Sequence, residues 1–178
     1  MQKFRAWFLE QMGMYAAYHR DWRNRATHHL GVPLIVIALI LALMQVPVIQ
    51  IAGNQEITAA TVVLALLLLG YVIAIPLLGA FTALIYTALY VVAVRLVDDL
   101  GPLLWAAVGA CFVVGLALQL VGHFFEGRRP ALTVNAIQIF MAPPFLVAEL
   151  IFALGIGSAF ERQIQSRAVK YLPNKKEV

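Results

Sequence analysis

Four histidines lie in two short stretches of the sequence, and imidazole is a side chain that can hold a metal ion. His19, His28 and His29 fall close together near the start, and His123 comes much later in the chain. None of them sits at the centre of a long apolar run. Neutral imidazole nitrogens are common ligands of iron and zinc, so histidines that converge on one surface predict a metal centre.

A carboxylate accompanies the last of these histidines. Glu126 follows His123 by three residues, so both side chains point to the same face if the segment is helical. Imidazole and carboxylate together form a ligand set. Ferrous iron held by such a set suits oxygen chemistry, whereas zinc with a bound water suits hydrolysis. The residues by themselves leave both metals open.

Three further polar side chains are candidates for binding the substrate. Asn24 precedes His28 by four residues and would align with it on a helix; it could orient a ligand or the substrate, or cap the helix. On that helix His29 points about 100° away from His28, so at most one of the pair faces the metal. Arg128 and Arg129 could hold a carboxylate headgroup by bidentate hydrogen bonds, or anchor the chain at the membrane surface.

The elements that must position these residues are membrane-spanning helices. Hydrophobic residues make up 62% of the 178 and charged residues only 12%, outside the range of soluble globular proteins. Crossing the hydrocarbon core takes roughly 20 apolar helical residues. The sequence therefore predicts an all-α integral membrane protein with one domain over residues 1–178. The predicted transmembrane helices are 32–52, 57–75, 77–96 and 101–121, and Pro76 breaks the long apolar run between the second and the third.

The segments outside these spans carry their own patterns. Residues 1–30 predict an amphipathic helix followed by the histidine and asparagine motif, and the helix either lies in the membrane interface or docks on the bundle. Its apolar positions are Phe4, Trp7, Phe8, Met12, Tyr15 and Tyr18. Residues 131–160 form a fifth apolar segment, which Pro143–Pro144 breaks into a re-entrant hairpin unless it spans the membrane. Residues 161–178 form a basic tail, loose from Leu172 onward.

Charge fixes the expected topology. Five basic residues precede the first span, while the loop 54–56 has none, so the positive-inside rule places the N-terminus in the cytoplasm. Counting spans forward places His123 on the same side as His19 and His28. The expected location is a bacterial inner membrane, or the endoplasmic reticulum in a eukaryote, with the active site on the cytoplasmic face.

Two blocks around the histidines resemble a known family. The first is Tyr18-His19 followed by Asn24-x-x-x-His28-x-x-Gly31-x-Pro33, and the second is Gln119-x-x-Gly122-His123-x-x-x-x-x-Arg129-Pro130-Ala131. Through most of its length the chain is similar to the membrane-bound, iron-dependent 2-hydroxy-fatty-acid dioxygenases of fatty-acid α-oxidation. Trp22 departs from the pattern, because the family often has a proline between the first histidine and the asparagine.

This resemblance implies a reaction in which a 2-hydroxy fatty acid and dioxygen give the fatty acid one carbon shorter. It implies His19, His28 and His123 as Fe(II) ligands and catalytic residues. The tail of such a substrate would lie in the membrane lipid, with its carboxylate at headgroup depth. There ferrous iron could chelate the hydroxyl and carboxylate oxygens.

Functions of other classes remain open from the residues. A haem-binding bundle needs only two axial histidines. A lipid-binding or transport protein without enzymatic activity would use the histidines for interfacial hydrogen bonds. A hydroxylase with two irons would, by that family's pattern, need more than the four histidines present. No nucleic-acid motif occurs, and the sequence predicts neither substrate chain length nor oligomeric state.

Overall fold

A computed structural model describes residues 1–51 and 55–173 of the chain. The structure is all-α in class and 82% helical. Its helices are α1 (Gln2–Ala17), α2 (Trp22–Leu43), α3 (Ala59–Ala74), α4 (Pro76–Leu100), α5 (Leu104–Glu126), α6 (Gln138–Ala153) and α7 (Ser158–Ala168). The strands β1 (Pro47–Ile51) and β2 (Gln55–Thr58) form an antiparallel hairpin between α2 and α3.

Within the described ranges, two helical stretches are long and apolar enough to cross a membrane. They are Trp22–Leu43 and Pro76–Glu126, the second of which includes both α4 and α5. The helices α3 and α6 are apolar but shorter. The structure thus supports a helical protein with two candidate membrane-spanning stretches, and the count of four spans plus a fifth stays a prediction.

The first predicted span differs from the observed helix at both ends. The helix α2 begins at Trp22 and ends at Leu43, so the last residues of the predicted span 32–52 are not helical. They form β1, whose Val48, Ile49 and Ile51 are β-branched residues that favour extended backbone, and Pro47 pairs with Thr58 in the hairpin. Residues 52–54, which hold part of the predicted loop, lie outside the described residues.

By contact the chain divides into two compact units, Leu30–Leu118 and a unit formed by Met1–His29 with Gln119–Val178. In the unit Leu30–Leu118, α3 and α4 pack as a hairpin that turns at Pro76, as the sequence predicts. Proline suits the first position of a helix because its missing N–H has no partner there. A Cβ at Gly79 would lie 2.4 Å from the backbone of Tyr71, so the hairpin closes only with glycine at that point.

The other unit packs α1 against α6 and α7. Phe8, Met12 and Tyr15 are buried on α1, and Ile164 and Ala168 are buried on α7. Of the two roles considered for the N-terminal helix, the structure shows the docked one. The first part of the predicted basic tail 161–178 is helical, since α7 extends to Ala168 with Ile164 and Ala168 buried. Residues 174–178, the end of the predicted loose tail, lie outside the described residues.

The predicted break at Pro143–Pro144 does not occur. Both prolines lie inside α6, which continues from Gln138 to Ala153. A short 3-10 helix, Ala131–Thr133, and a turn precede the helix instead. The two prolines remove backbone donors from the helix, and the burial of Met141, Phe145 and their neighbours offsets this cost. At 16 residues, α6 is about 24 Å long, which is less than the hydrocarbon core of a typical bilayer.

Candidate metal centre

Three histidines meet inside the unit that contains both chain ends. His19 lies in the turn between α1 and α2, His28 lies on α2, and His123 lies in the last turn of α5. Their exposed fractions are 5%, 4% and 7%. One nitrogen from each ring lies within 4.8 Å of the others. The structure therefore brings together the three histidines that the sequence singled out, and their role as ligands stays a prediction.

Hydrogen bonds fix the tautomers of two of these rings. His19 donates from Nδ1 to the carbonyl oxygen of Tyr15 at 2.8 Å, and His28 donates from Nδ1 to the carbonyl oxygen of Asn24 at 2.9 Å. A carbonyl can only accept, so the Nε2 atom of each neutral ring carries a lone pair and no proton. These two Nε2 atoms lie 3.3 Å apart. Two lone pairs thus face each other in a buried place, an arrangement that a cation between them would stabilise.

The third ring has an unsatisfied nitrogen. Nδ1 of His123 is buried and has no hydrogen-bond partner among the described residues. Leaving a buried polar atom unpaired costs free energy, so native structures rarely do so without a functional reason. Its ring centre lies 5.0 Å from those of both His19 and His28. The orphan nitrogen and the facing lone pairs fit a site in which three histidines bind one metal ion.

Burial keeps His19 in the form that binds metals. Loss of solvent lowers the pKa of His19 well below its ordinary value of 6.5, and the neighbouring His28 lowers the pKa further. The hydrogen bond to Tyr15 raises the pKa and His123 lowers it, both more weakly. Metal ligation requires neutral imidazole. Three neutral nitrogen donors fit a divalent transition metal such as iron or zinc.

Glu126 is not grouped with these histidines. Its carboxylate accepts the backbone N–H of Arg20 with both oxygens at 3.0 Å, and the N–H of Asp21 at 2.8 Å. It also accepts a hydrogen bond from Nδ2 of Asn24 at 3.0 Å. The structure thus shows this carboxylate bonded to the turn that carries His19, and its role as a metal ligand stays a prediction.

Asn24 supports the site from inside α2. The residue is fully buried, and its side-chain Nδ2 donates to Tyr18 as well as to Glu126. Its backbone oxygen accepts the Nδ1 proton of His28. Asn24 therefore orients a candidate ligand, one of the roles that the sequence predicted. It is the third residue of α2 and so does not cap that helix.

Gly122 lets α5 approach this part of α2 closely. A Cβ at this position would lie 2.3 Å from Oγ1 of Thr27 and 2.5 Å from Oδ1 of Asn24. Both distances are far inside van der Waals contact. Glycine beside His123 is thus a requirement of the packing that joins His123 to the other two histidines.

The predicted substrate-binding arginines differ in their surroundings. Arg128 donates to the carbonyl oxygens of Ala17 and Tyr171 at 3.0 and 3.2 Å, and its guanidinium lies 3.8 Å from the ring centre of Tyr18. These contacts join Arg128 to the C-terminal end of α1 and to Tyr171. They do not support a substrate role for Arg128. Arg129 is exposed, and its substrate role stays a prediction.

His29 points away from the three buried histidines. Its Nδ1 donates to the carbonyl oxygen of Arg25 at 2.9 Å and lies 3.8 Å from the carboxylate of Glu149. The prediction that only one of His28 and His29 faces the centre is confirmed.

Sequence reasoning missed two aromatic residues that enclose the site. The ring of Tyr15 stacks on His19 with centres 3.9 Å apart, and Phe145 lies 4.8 Å from Tyr15 and 6.4 Å from His19. Tyr15 precedes His19 by four residues, a spacing that could have signalled the contact. Phe145, on α6, left no local signal.

Phe145 also lines a cavity of about 200 Å³. Arg25 and Glu149 stand in the same wall, with Nε of Arg25 2.5 Å from Oε1 of Glu149. The remaining lining residues are Phe152, Ala153, Glu161, Ile164 and Gln165. The cavity is thus lined by both apolar and charged side chains, and one of them is the aromatic ring of Phe145 beside the histidine site.

Comparison with known proteins gives one consistent family. A family profile described as 2-hydroxy-palmitic acid dioxygenase Mpo1-like matches residues 5–154. The 2-hydroxy-palmitic acid dioxygenase MPO1 of Saccharomyces cerevisiae is 30% identical over 147 residues, which cover 82% of this chain and 80% of the yeast protein. No solved structure matches the chain. The matched range contains all three buried histidines.

Proposed function

The chain belongs to the 2-hydroxy-palmitic acid dioxygenase Mpo1-like family, and from that premise we propose that it is an iron-dependent dioxygenase that shortens 2-hydroxy fatty acids by one carbon. The observation that carries this proposal is the buried trio of His19, His28 and His123, with ligand atoms within 4.8 Å of one another. His19 and His28 present facing lone pairs, and His123 has a buried nitrogen in need of a partner.

These three side chains would hold Fe(II). Bound ferrous iron would supply the electrons that activate dioxygen and an electrophilic centre for the substrate oxygens. The chain's own contribution is to fix the rings. The carbonyls of Tyr15 and Asn24 set the tautomers of His19 and His28, and the rings of Tyr15 and Phe145 exclude water from one side of His19.

The surroundings suit a substrate with a polar head and a long apolar tail. We place the substrate carboxylate at the guanidinium of Arg25, which lines the cavity, and the first carbons of the chain against Phe145 and Phe152, which also line it. Glu149 holds that guanidinium through Nε, which leaves the other nitrogens of its planar fork to donate. We place the rest of the acyl chain in the lipid, because large apolar side chains of the same unit, such as Phe124, Val134 and Leu154, are more than 60% exposed.

The same reasoning extends to location. We propose a multi-pass protein of a bacterial inner membrane, or of the endoplasmic reticulum in a eukaryote, with the histidines at the cytoplasmic face. The two apolar helical stretches and the basic residues before the first of them support this placement. Haem ligation, the alternative from the sequence, is not favoured, because ring centres 4.6 Å apart leave no space for a porphyrin between His19 and His28.

The test is aerobic incubation of purified, iron-loaded protein with 2-hydroxypalmitate, followed by mass spectrometry. Wild type should form the fatty acid one carbon shorter, and His123→Ala should not. His29→Ala is the matched control, since this neighbouring histidine lies outside the buried trio and its loss should leave product formation intact. Absence of product from iron-loaded wild type, or equal product from His123→Ala, would contradict the proposal.

A further inference from the structure

The carboxylate of Glu126 connects the three segments of the chain that carry the buried histidines. Glu126 lies three residues after His123 on the end of α5. It accepts the backbone N–H groups of Arg20 and Asp21, the two residues that follow His19. These N–H groups lie in the turn before α2, where a carboxylate is also stabilised by the positive end of the helix dipole.

The connection to the remaining histidine passes through Asn24. Glu126 accepts a hydrogen bond from Nδ2 of Asn24 at 3.0 Å, and the backbone oxygen of Asn24 accepts the Nδ1 proton of His28 at 2.9 Å. Asn24 is fully buried, so its own side of these bonds is shielded from water. A single side chain on α5 is therefore tied to the turn of His19 and, by one intermediate residue, to the ring of His28.

We propose that Glu126 is a positioning residue of the metal centre, holding His19 and His28 in their ligating positions before a metal binds. The inference rests on the proposed metal centre and assigns Glu126 a place outside its ligand set. Three donors already bond its carboxylate: the backbone N–H of Arg20, which both oxygens share, and the backbone N–H of Asp21 and the amide of Asn24, both on Oε2. Glu126 acts on the metal through the residues it holds.

Glu126→Gln is the informative variant. It keeps the size of the side chain but replaces one accepting oxygen with an NH₂ group, which cannot accept a backbone N–H. Cobalt(II) serves as the probe, because its visible absorption reports the identity and number of its ligands without any turnover. Glu56→Gln is the matched control, since Glu56 is an exposed glutamate of the hairpin that bonds Gln50.

If Glu126 is a positioning residue, Glu126→Gln should weaken the binding of cobalt without changing which residues ligate it. Cobalt should bind Glu126→Gln roughly 10- to 100-fold more weakly than wild type, the usual loss when a partner that orients a ligand is removed. At saturation its absorption bands should keep the energies and intensities of wild type. Altered bands at saturation would show that Glu126 is itself a ligand, and unchanged affinity would show that it positions nothing. Either result overturns the proposal.

Hydrogen exchange on the metal-free protein gives a second measurement that needs no variant to fold. The amide protons of Arg20 and Asp21 should be protected in metal-free wild type and should lose protection in Glu126→Gln. Unprotected amides in wild type would refute the proposal even if the variant cannot be purified. Failure of iron-loaded wild type to shorten 2-hydroxypalmitate would count against the proposed function alone, because the cobalt and exchange results do not depend on turnover.

Discussion

Replacing Gly122 with alanine should disrupt the metal centre through one added methyl group. The new Cβ would lie 2.3 Å from Oγ1 of Thr27 and 2.5 Å from Oδ1 of Asn24. Each oxygen must retreat by about 1 Å to reach ordinary van der Waals contact. Thr27 can move only by losing its bond to the backbone oxygen of Asn24, and the amide of Asn24 is held by Glu126. The strain therefore reaches His28, whose ring is bonded to the same backbone oxygen.

The expected size of the effect follows from these contacts. Overpacking of this kind costs about 1–3 kcal/mol, and the higher helix propensity of alanine returns up to about 1 kcal/mol. The net loss of stability should therefore stay below about 3 kcal/mol, so Gly122→Ala should still fold. A displacement near 1 Å at a reacting centre can lower the rate about 100-fold, which makes the loss of activity larger than the loss of stability.

The assay compares Gly122→Ala with Gly109→Ala. Gly109 lies on the same helix, and a Cβ there meets nothing within 4 Å, so that variant controls for helix propensity alone. Thermal unfolding in detergent and turnover of 2-hydroxypalmitate would be measured for both. A folded Gly122→Ala with the turnover and metal affinity of wild type would refute the reasoning, because it would mean that the close approach does not position His28.

Two further predictions concern residues around the site. Arg128→Ala should lower the free energy of unfolding by about 1–3 kcal/mol, because it removes charged hydrogen bonds to two backbone carbonyls. Its KM for 2-hydroxypalmitate should equal that of Arg129→Ala. A KM raised only in Arg128→Ala would instead support the predicted substrate role of Arg128. Burial lowers the pKa of His19 below 6.5 in the folded state, so below that pH the unfolded state binds a proton that the folded state does not. Metal-free protein should therefore lose up to about 1.4 kcal/mol of stability per pH unit as the pH falls below 6.5. Thermal unfolding measured from about pH 7.5 to about pH 5.5 should depend less on pH in His19→Gln than in wild type, and equal slopes would contradict this.

The sequence predicted His19, His28 and His123 as metal ligands because the ability of imidazole to bind a metal can be recognised from residue type alone. Their residue type, their absence from span centres and the two motif blocks all point to the same positions. The i and i+4 spacing of Asn24 and His28 also predicted a contact that the structure shows through the backbone oxygen of Asn24. Local spacing was sufficient for the contact of Asn24 with His28, because the two residues lie about one helical turn apart, whereas the approach of His123 depends on long-range packing at Gly122.

The roles of Glu126 and Arg128 could not be read in the same way. A carboxylate one turn from a histidine looks the same in sequence whether it faces a metal or a distant turn of backbone. Glu126 contacts residues more than 100 positions earlier, and Arg128 contacts Tyr171 and Ala17. These partners are set by the packing of α1, α5 and the C-terminal segment, which no local pattern encodes.

The local sequence pattern also did not predict where α2 ends and β1 begins, or that α6 continues through its two prolines. The uncharged run continues past Leu43, yet it forms β1 because its β-branched residues pair with the following segment. The prolines of α6 are tolerated inside the helix because its buried face packs on α1. In each case a tertiary contact outweighs the preference of the isolated segment.

The central claim is that His19, His28 and His123 together bind one metal ion. Its most direct test is anaerobic titration of Fe(II) into metal-free protein in detergent, followed by calorimetry, with His123→Ala and His29→Ala measured in parallel. Wild type and His29→Ala should each bind about one ion per chain with high affinity, and the affinity of His123→Ala should be at least about 10-fold lower. Absence of binding to wild type, or equal affinity in His123→Ala, would contradict it.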